Sequence, residues 1–338
     1  MAKSSIFQTS QQTNVIIGTE DTFGTKAATD ATRIHMPVTS YSFSEVANHT
    51  LAFAPFRAGA GGATQSTEMV KAQRHDRMYE ITLEFMGSAQ AISRICETLY
   101  GDSSNPHALI GSMPTTSNIN GSTAVPVTIY FDKGSASAAN TAISFKTCMC
   151  TSFTISGDIG GNGGVIMGSA TFVTGFNPDK ANIAFSGGTE TTITAQTAYF
   201  NMHDLSATTI TPSGGSAEDL VLFSFELNIE RAVNRVGFDT ASNGFAPLGY
   251  VVGGYEVTGS MTVKRDAESD AAITYADTAE PVCAISISDG TFQIEAPKAI
   301  IDQASINFDD DGFKSVIPFR CTYDAAATSN SVVDIHTA

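Results

Sequence analysis

The side chains able to do chemistry are few in this sequence, and they stand apart from one another. Its six histidines, at positions 35, 49, 75, 107, 203 and 336, occur singly. Only His203 has an acidic neighbour, Asp204, and no strand–turn–helix nucleophile elbow accompanies it. The run Gly18 to Lys26 superficially resembles a phosphate loop. It has one residue too many between its glycines, a Thr before the Lys, and no helical pattern behind it, so it reads as a turn-rich arm. Asp309-Asp310-Asp311-Gly312 lacks the bidentate Glu that a calcium loop requires, and reads as a solvated hairpin turn. Gly157 to Gly164 reads as a hairpin loop rather than an anion nest. Asn48-His-Thr50 and Asn120-Gly-Ser122 match a glycosylation pattern that has no role without secretion. The cysteines, Cys96, Cys148, Cys150, Cys283 and Cys321, are odd in number and lack framework spacing, which predicts reduced, mostly buried thiols. Nothing assembles into a catalytic constellation. No catalytic residue, cofactor or metal site is expected.

What remains chemically conspicuous is negative charge. The chain carries 34 acidic and 18 basic side chains over 338 residues, a formal net charge of −16. The excess is uneven: 12 acidic against 10 basic residues up to Gly175, and 22 against 8 beyond it. Such a surface does not grip nucleic acid by neutralising phosphates, but it suits a passage through which nucleic acid slides without sticking. Acidity also keeps an abundant protein soluble, and composition does not separate the two roles. No apolar signal core opens the chain and no uninterrupted apolar run is long enough to span a bilayer, so cytoplasmic synthesis and no membrane partner are expected.

The elements that must position these charges are mostly strands. Hydrophobic residues make up 42% of the chain and charged ones only 15%, with 29 glycines, a composition suited to many short strands joined by turns. Apolar and polar residues alternate through Tyr79–Phe85, Phe223–Glu230, Tyr255–Val263, Phe153–Ser156 and Ile317–Asp324. Period two means one face on a core and one in water, as in antiparallel sheets. Ser88 to Leu99 differs: Ile92, Ile95, Cys96 and Leu99 fall at helical spacing, with Ser88 as N-cap and Gly101 as stop. A weaker helix is expected from Asp266 to Tyr275.

The order of elements recurs. Tyr79-Glu80-Ile81-Thr82 and Tyr255-Glu256-Val257-Thr258 each open an amphipathic strand, 176 residues apart. Each follows another strand, Tyr41–Ser44 or Phe223–Glu226, across a Gly- and Ala-rich stretch expected to be loop, 54–77 or 232–254. Downstream, Ser152–Ser156 echoes Ala304–Phe308, each ahead of a final strand. Fixed order and spacing predict an internal repeat, with units 1–176 and 177–338 divided in the Thr- and Ser-rich stretch 177–218.

The run Ile16-Ile17-Gly18-Thr19-Glu20-Asp21-Thr22-Phe23-Gly24-Thr25 resembles the Glu-x-x-Phe/Tyr-Gly-Thr opening of phage major tail (tail tube) proteins. Ile34–Phe43 is similar to the strand that follows there, and Gly253–Thr262 to the inner-strand segment. The resemblance implies a mainly β fold, an antiparallel β-sandwich/barrel of the tail-tube type with a short flanking α-helix; taken with the internal repeat, two such domains in tandem are expected, a departure from the family's more common single-domain subunit. It implies a structural virion protein rather than an enzyme, whose inner sheets join side by side into stacked rings around a DNA channel. Its partners would be further copies of itself, tail terminator and tail tip proteins, and viral DNA that passes without specific binding. Two units per chain favour a trimer with pseudo-sixfold symmetry over a hexamer. Glu80, Glu84, Glu226, Glu230 and Glu256 are the expected lumen-lining residues, although alternation does not say whether that wet face meets lumen or outer solvent. The Pro55-Phe56 pair, Arg57, Arg74, Arg77, Arg235 and Phe238 are the expected contacts between subunits and rings. A β-sandwich adhesin, decoration protein or receptor-binding protein shares the composition, but would bring aromatic clusters on loops or a secretion signal.

Overall fold

Alternating segments do form strands, and main-chain pairing carries most of the structure. The computed structural model describes residues 13–27, 33–53, 69–101, 105–110, 125–132, 143–179, 198–237, 246–270, 282–302, 305–309, 312–324 and 331–337. The strands are β1 (Asn14–Thr19), β2 (Arg33–Met36), β3 (Val38–Phe53), β4 (Met69–Met86), β5 (His107–Ile110), β6 (Val127–Asp132), β7 (Ile143–Asp158) and β8 (Met167–Thr174), with helix α1 (Ala89–Tyr100) between β4 and β5. There follow β9 (Ala207–Pro212), β10 (Glu218–Asp219), β11 (Leu222–Val236), β12 (Gly249–Lys264), β13 (Val282–Ser288), β14 (Phe292–Ile301), β15 (Ser305–Asp309), β16 (Gly312–Cys321) and β17 (Ser331–Thr337). Every pairing among them is antiparallel, so the fold is mainly β.

One sheet has the strand order β3-β4-β8-β7-β11-β12-β16-β15. Against its apolar side lie α1 and two smaller layers. The first is β2-β1-β6 joined to the start of β7, and the second is β10-β9-β13-β14-β17-β5. The pairings β3–β4–β8–β7–β6–β1–β2 recur as β11–β12–β16–β15/β14–β13–β9–β10. Most buried apolar side chains of both sets belong to one contiguous core, which crosses the β7–β11 pairing at Phe153, Ile155, Leu227 and Ile229, while Met149 and Tyr250 form a second cluster.

Helix α1 forms where its capping signals place it. Ser88 accepts the Ala91 N–H and Gly101 closes the last turn at φ 78°. Ile92, Ile95, Cys96 and Leu99 are fully buried. Burying four such side chains is worth about 1.5–3 kcal/mol each, far more than intrinsic helix propensity supplies. Of the second expected helix, the turn 267–270 is helical, and Asp266 and Ser269 cap one another at 2.9 and 3.2 Å. Residues 271–275 lie outside the described residues.

The stretches expected to be long loops are strand at their ends, over 69–77 in the first and 232–236 and 249–254 in the second, while 54–68 and 238–245 lie outside the described residues. β3 and β4 continue to Phe53 and from Met69, and β11 and β12 to Val236 and from Gly249, so each hairpin projects as a two-stranded arm. Their Gly and Ala content suggests loop. Main-chain pairing does not depend on side chains, however, and Tyr255 opposite Arg231 and Val252 opposite Val233 hold Gly253 and Gly254 within the arm. Arg74, Arg77 and Arg235 therefore sit on strands, while Pro55, Phe56, Arg57 and Phe238 lie outside the described residues.

Elsewhere glycine is required by close approach. Gly168 faces Phe85, Gly157 faces Phe225 and Gly259 faces Phe319 as direct cross-strand pairs, each ring lying over the bare backbone. A Cβ at Gly259 would meet the Phe319 ring and come within 2.8 Å of the Glu226 carbonyl oxygen, whereas one at Gly254 meets nothing within 4 Å. Gly259→Ala is expected to cost about 1–3 kcal/mol by overpacking, and Gly254→Ala less than about 0.5 kcal/mol. Urea unfolding of the two variants checks this, and equal midpoints would contradict it.

Candidate functional site

The outer face of the long sheet collects the polar residues of both halves. One transverse row reads Ser42, Thr82, Thr171, Ser152, Glu230 and Glu256, each directly opposite the next. A second row reads Ser40, Glu84, Ser169, Thr154, Asn228, Thr258 and Arg320. Glu226 lies in a third, between Ser156 and Ser260, and Glu80 is opposite Ser44 on β3. The five carboxylates singled out from the sequence therefore share one face, and all five are exposed. Behind them the intervening residues Ile81, Leu83, Phe85, Phe225, Leu227 and Ile229 are buried.

Short polar contacts order this face. Ser40 Oγ donates to Glu84 at 2.6 Å, Thr154 Oγ1 to Asn228 Oδ1 at 2.9 Å, and Asn228 Nδ2 to Glu230 at 2.7 Å. Arg320 reaches Asp302 at 3.1 Å and Glu256 at 3.8 Å, both at exposed positions where an ion pair contributes little. Glu230 and Glu256 are directly opposed, an arrangement that destabilises a sheet. The face thus retains like charges at a cost to stability. Carboxylates, hydroxyls and amides make up this face, with an open depression of about 520 Å³ beside Glu230 and Glu256, lined also by Thr151, Ser152 and Gly254.

Two buried charges that the sequence reading does not single out hold the sheet in place. Glu20 accepts Thr128 Oγ1 at 2.6 Å and the Thr147 N–H at 2.7 Å on one oxygen, and Thr147 Oγ1 at 2.9 Å on the other. Thr147 has φ 52°, unfavourable for a β-branched residue, at the bend where β7 leaves β6 and turns to β8. Its hydroxyl also accepts the Gly24 N–H at 3.0 Å, and Lys146 Nζ donates to the Gly24 carbonyl at 2.9 Å. Phe23 meets Phe176 and Tyr250 edge to face, with centroids 5.7 and 5.9 Å away. The Glu-x-x-Phe-Gly-Thr run is accordingly a structural clasp.

Burial holds the Glu20 carboxyl above its ordinary 4.5, partly offset by the donors from Thr128 and Thr147 and by Lys146. A raised folded value favours the protonated form. The stability linked to this group is therefore complete below about pH 4.5 and falls as pH rises through the folded value. Glu20→Gln removes that titration, so its stability deficit relative to the parent chain is expected to be largest at acid pH and to shrink towards neutrality. Thermal melts of both proteins across that range check the sign.

Arg231 is the second buried charge. It lies on β11 in register with Leu227 and Ile229, so it points inward, and only 5% of it is exposed. Its Nε donates to the Cys150 carbonyl at 2.8 Å, Nη2 to Thr98 O at 3.2 Å, and Nη1 to Leu99 O. Tyr255 joins them, its hydroxyl donating to Leu99 O at 2.8 Å and its ring 5.9 Å from the guanidinium carbon. A residue of the second half thereby caps the C-terminus of the first half's helix, where the helix dipole favours a cation.

The five cysteines are buried and form no disulfide. Burial pushes Cys150, Cys283 and Cys321 up to about 12, so they are unreactive thiols. Among the described residues no three His, Cys, Asp or Glu side chains converge as metal ligands, and no helix is long and apolar enough to cross a membrane. Arg235 is half-buried on the β11 arm, near exposed Val236, Leu248 and Val251. Arg74 and Arg77 lie on the β4 arm, where side chains are outside the described residues.

A search of curated proteins finds no match. The family profile described as phage tail tube protein matches residues 10–310, which covers most of the chain and every strand of the long sheet except β16. The chain is thus a structural protein of the phage tail and belongs to the phage tail tube protein family.

Proposed function

We propose that this chain polymerises into stacked rings that form the tail tube, with the anionic sheet face lining the conduit through which DNA leaves the virion. The observation that carries the reading is the continuity of that face across both halves. Glu80 and Glu84 on β4 share it with Glu226 and Glu230 on β11 and Glu256 on β12, joined through Thr82, Thr171 and Ser152 in one row and through Ser169 and Thr154 in the next, while the row of Glu80 continues through Val173 and Met149. A wide barrel filled with water needs such a wall, wet on one side and packed on the other. Like charge repels phosphate within a screening length of about 10 Å, so DNA moves along the bore without binding.

The chain comprises two tube-type units, 1–176 and 177–338, and three copies complete a pseudo-sixfold ring. The recurring strand pairings support this, as does the β7–β11 pairing that joins one set to the other. The projecting arms, with Arg74, Arg77 and Arg235, and the residues 54–68 and 238–245 between them, make the contacts to neighbouring subunits and rings. Exposed Leu248 and Val251 on the second arm suit that role. Terminator and tip proteins close the ends of the tube. Electron microscopy of the purified protein tests the reading. Hollow tubes or rings with threefold averaging are expected, a true sixfold ring of identical units overturns the three-copy arrangement, and a persistent monomer overturns the function.

A further inference from the structure

We infer that the ring closes by pairing the free edge of β3 with the free edge of β15 from a second copy, in the register already made inside the chain between β11 and β7. The inference rests on the ring-building reading above and specifies the seam.

β3 stands to β4 as β11 stands to β12: Ser40 is opposite Glu84 and Glu226 opposite Ser260, each five residues after the shared Tyr of Tyr79-Glu80 and Tyr255-Glu256. The start of β15 meets β16 where the end of β7 meets β8, Ser305 being opposite Val316 as Ser156 is opposite Met167. Within the chain, β11 has β7 along its outer edge. Among the described residues β3 pairs only with β4, and β15 only with β16. The two open edges are therefore the two halves of a junction the molecule has already built once.

Side-chain burial agrees. Phe43 is opposite Ile81 and Ile229 opposite Val257, equivalent places in the two hairpins. Ile229, with β7 alongside, is fully buried, whereas Phe43 is 47% exposed beside a cleft of about 460 Å³ lined by Tyr79, Ile143, Phe145 and Pro178. A large apolar side chain at an unpaired edge is an aggregation hazard unless another strand covers it. The two edges lie at opposite ends of the sheet, so the contact is heterologous and propagates around a ring.

The register transfers residue by residue. Glu226 is opposite Ser156, and Ser156, Met167 and Met86 lie in one line. Ser305, Val316 and Thr262 form the matching line, with Met86 and Thr262 each seven residues after the shared Tyr. Ser40 of one copy should therefore face Ser305 of the next. Directly opposite Cα atoms in an antiparallel pair are about 4.5–5.5 Å apart, within disulfide reach.

The test places S40C and S305C together in one full-length chain and oxidises the assembled protein. The native cysteines are buried and supply little background. Disulfide-linked multimers are expected on the order of tenfold above either single variant, reversible by reductant. An independent measurement uses the unaltered protein: amide exchange in 38–40 and 305–307 should be at least about 100-fold slower in tubes than in isolated subunits. If tubes or rings form but neither cross-link nor protection appears, the seam is wrong and the ring-building reading stands. If the unaltered protein forms no ring or tube, that reading fails and the seam fails with it.

Discussion

Replacing Arg231 by methionine is expected to cost the folded chain about 3–5 kcal/mol, the largest single-residue loss anticipated for this protein. The guanidinium satisfies the carbonyls of Thr98, Leu99 and Cys150 at once, in a place where water does not reach. Methionine fills similar volume but donates nothing, so three acceptors lose a charge-assisted partner together and the end of α1 loses its compensating charge. Arg231→Lys should recover less than half of the loss, because one ammonium cannot span acceptors arranged for a planar fork. Denaturant unfolding measures the cost, and exchange at the last turn of α1 locates it. A loss below about 1 kcal/mol for the methionine variant would refute the capping role, since it would mean water replaces the side chain without penalty.

The second large effect is functional. Changing Glu80, Glu84, Glu226, Glu230 and Glu256 to lysine turns five negative charges on one sheet face into five positive ones without touching the core behind it. Phage carrying such tubes are expected to retain DNA in the tail, with infectivity down by about 100-fold or more. Ejection in vitro should recover as salt rises from about 50 to 200 mM, because lysine–phosphate contacts weaken steeply over that range. The five-fold glutamine variant is expected to assemble and eject close to normally, since it removes repulsion without adding attraction. Electron microscopy of each variant separates loss of assembly from loss of passage. If the five-lysine variant itself does not assemble, Glu230→Lys with Glu256→Lys is the smaller change that keeps the measurement possible. Lysine-lined tubes that release DNA at the parental rate and salt dependence would disprove a lumen role for this face.

Much of this is legible in the residues. Alternation through Tyr79–Phe85 and Phe223–Glu230 locates strands and separates their wet and dry faces, because a pleated strand exposes every second side chain. Ser88, Gly101 and four apolar positions at helical spacing locate α1, since caps and periodicity are local properties. The arms read as loop because glycine and alanine weaken any pattern based on side chains, while the ladder that orders them is made by the backbone. Arg231 does carry a signal: it occupies the inward register of Phe225, Leu227 and Ile229, where a charge demands buried partners. Which carbonyls it meets is not legible, because Thr98 and Leu99 are more than 130 residues away in the chain.

The sequence by itself determined that five glutamates lie on the wet sides of strands, that the strand order recurs, and that the opening run resembles tail tube proteins. Only the tertiary structure decided that those wet sides share one face of one sheet. That depends on β7 bending at Thr147, held by Glu20, and then accepting β11 along its free edge. Main-chain hydrogen bonds are blind to side-chain identity, so pairing preferences do not select among edges. Long-range packing of the shared core does, and it is absent from any local window of residues.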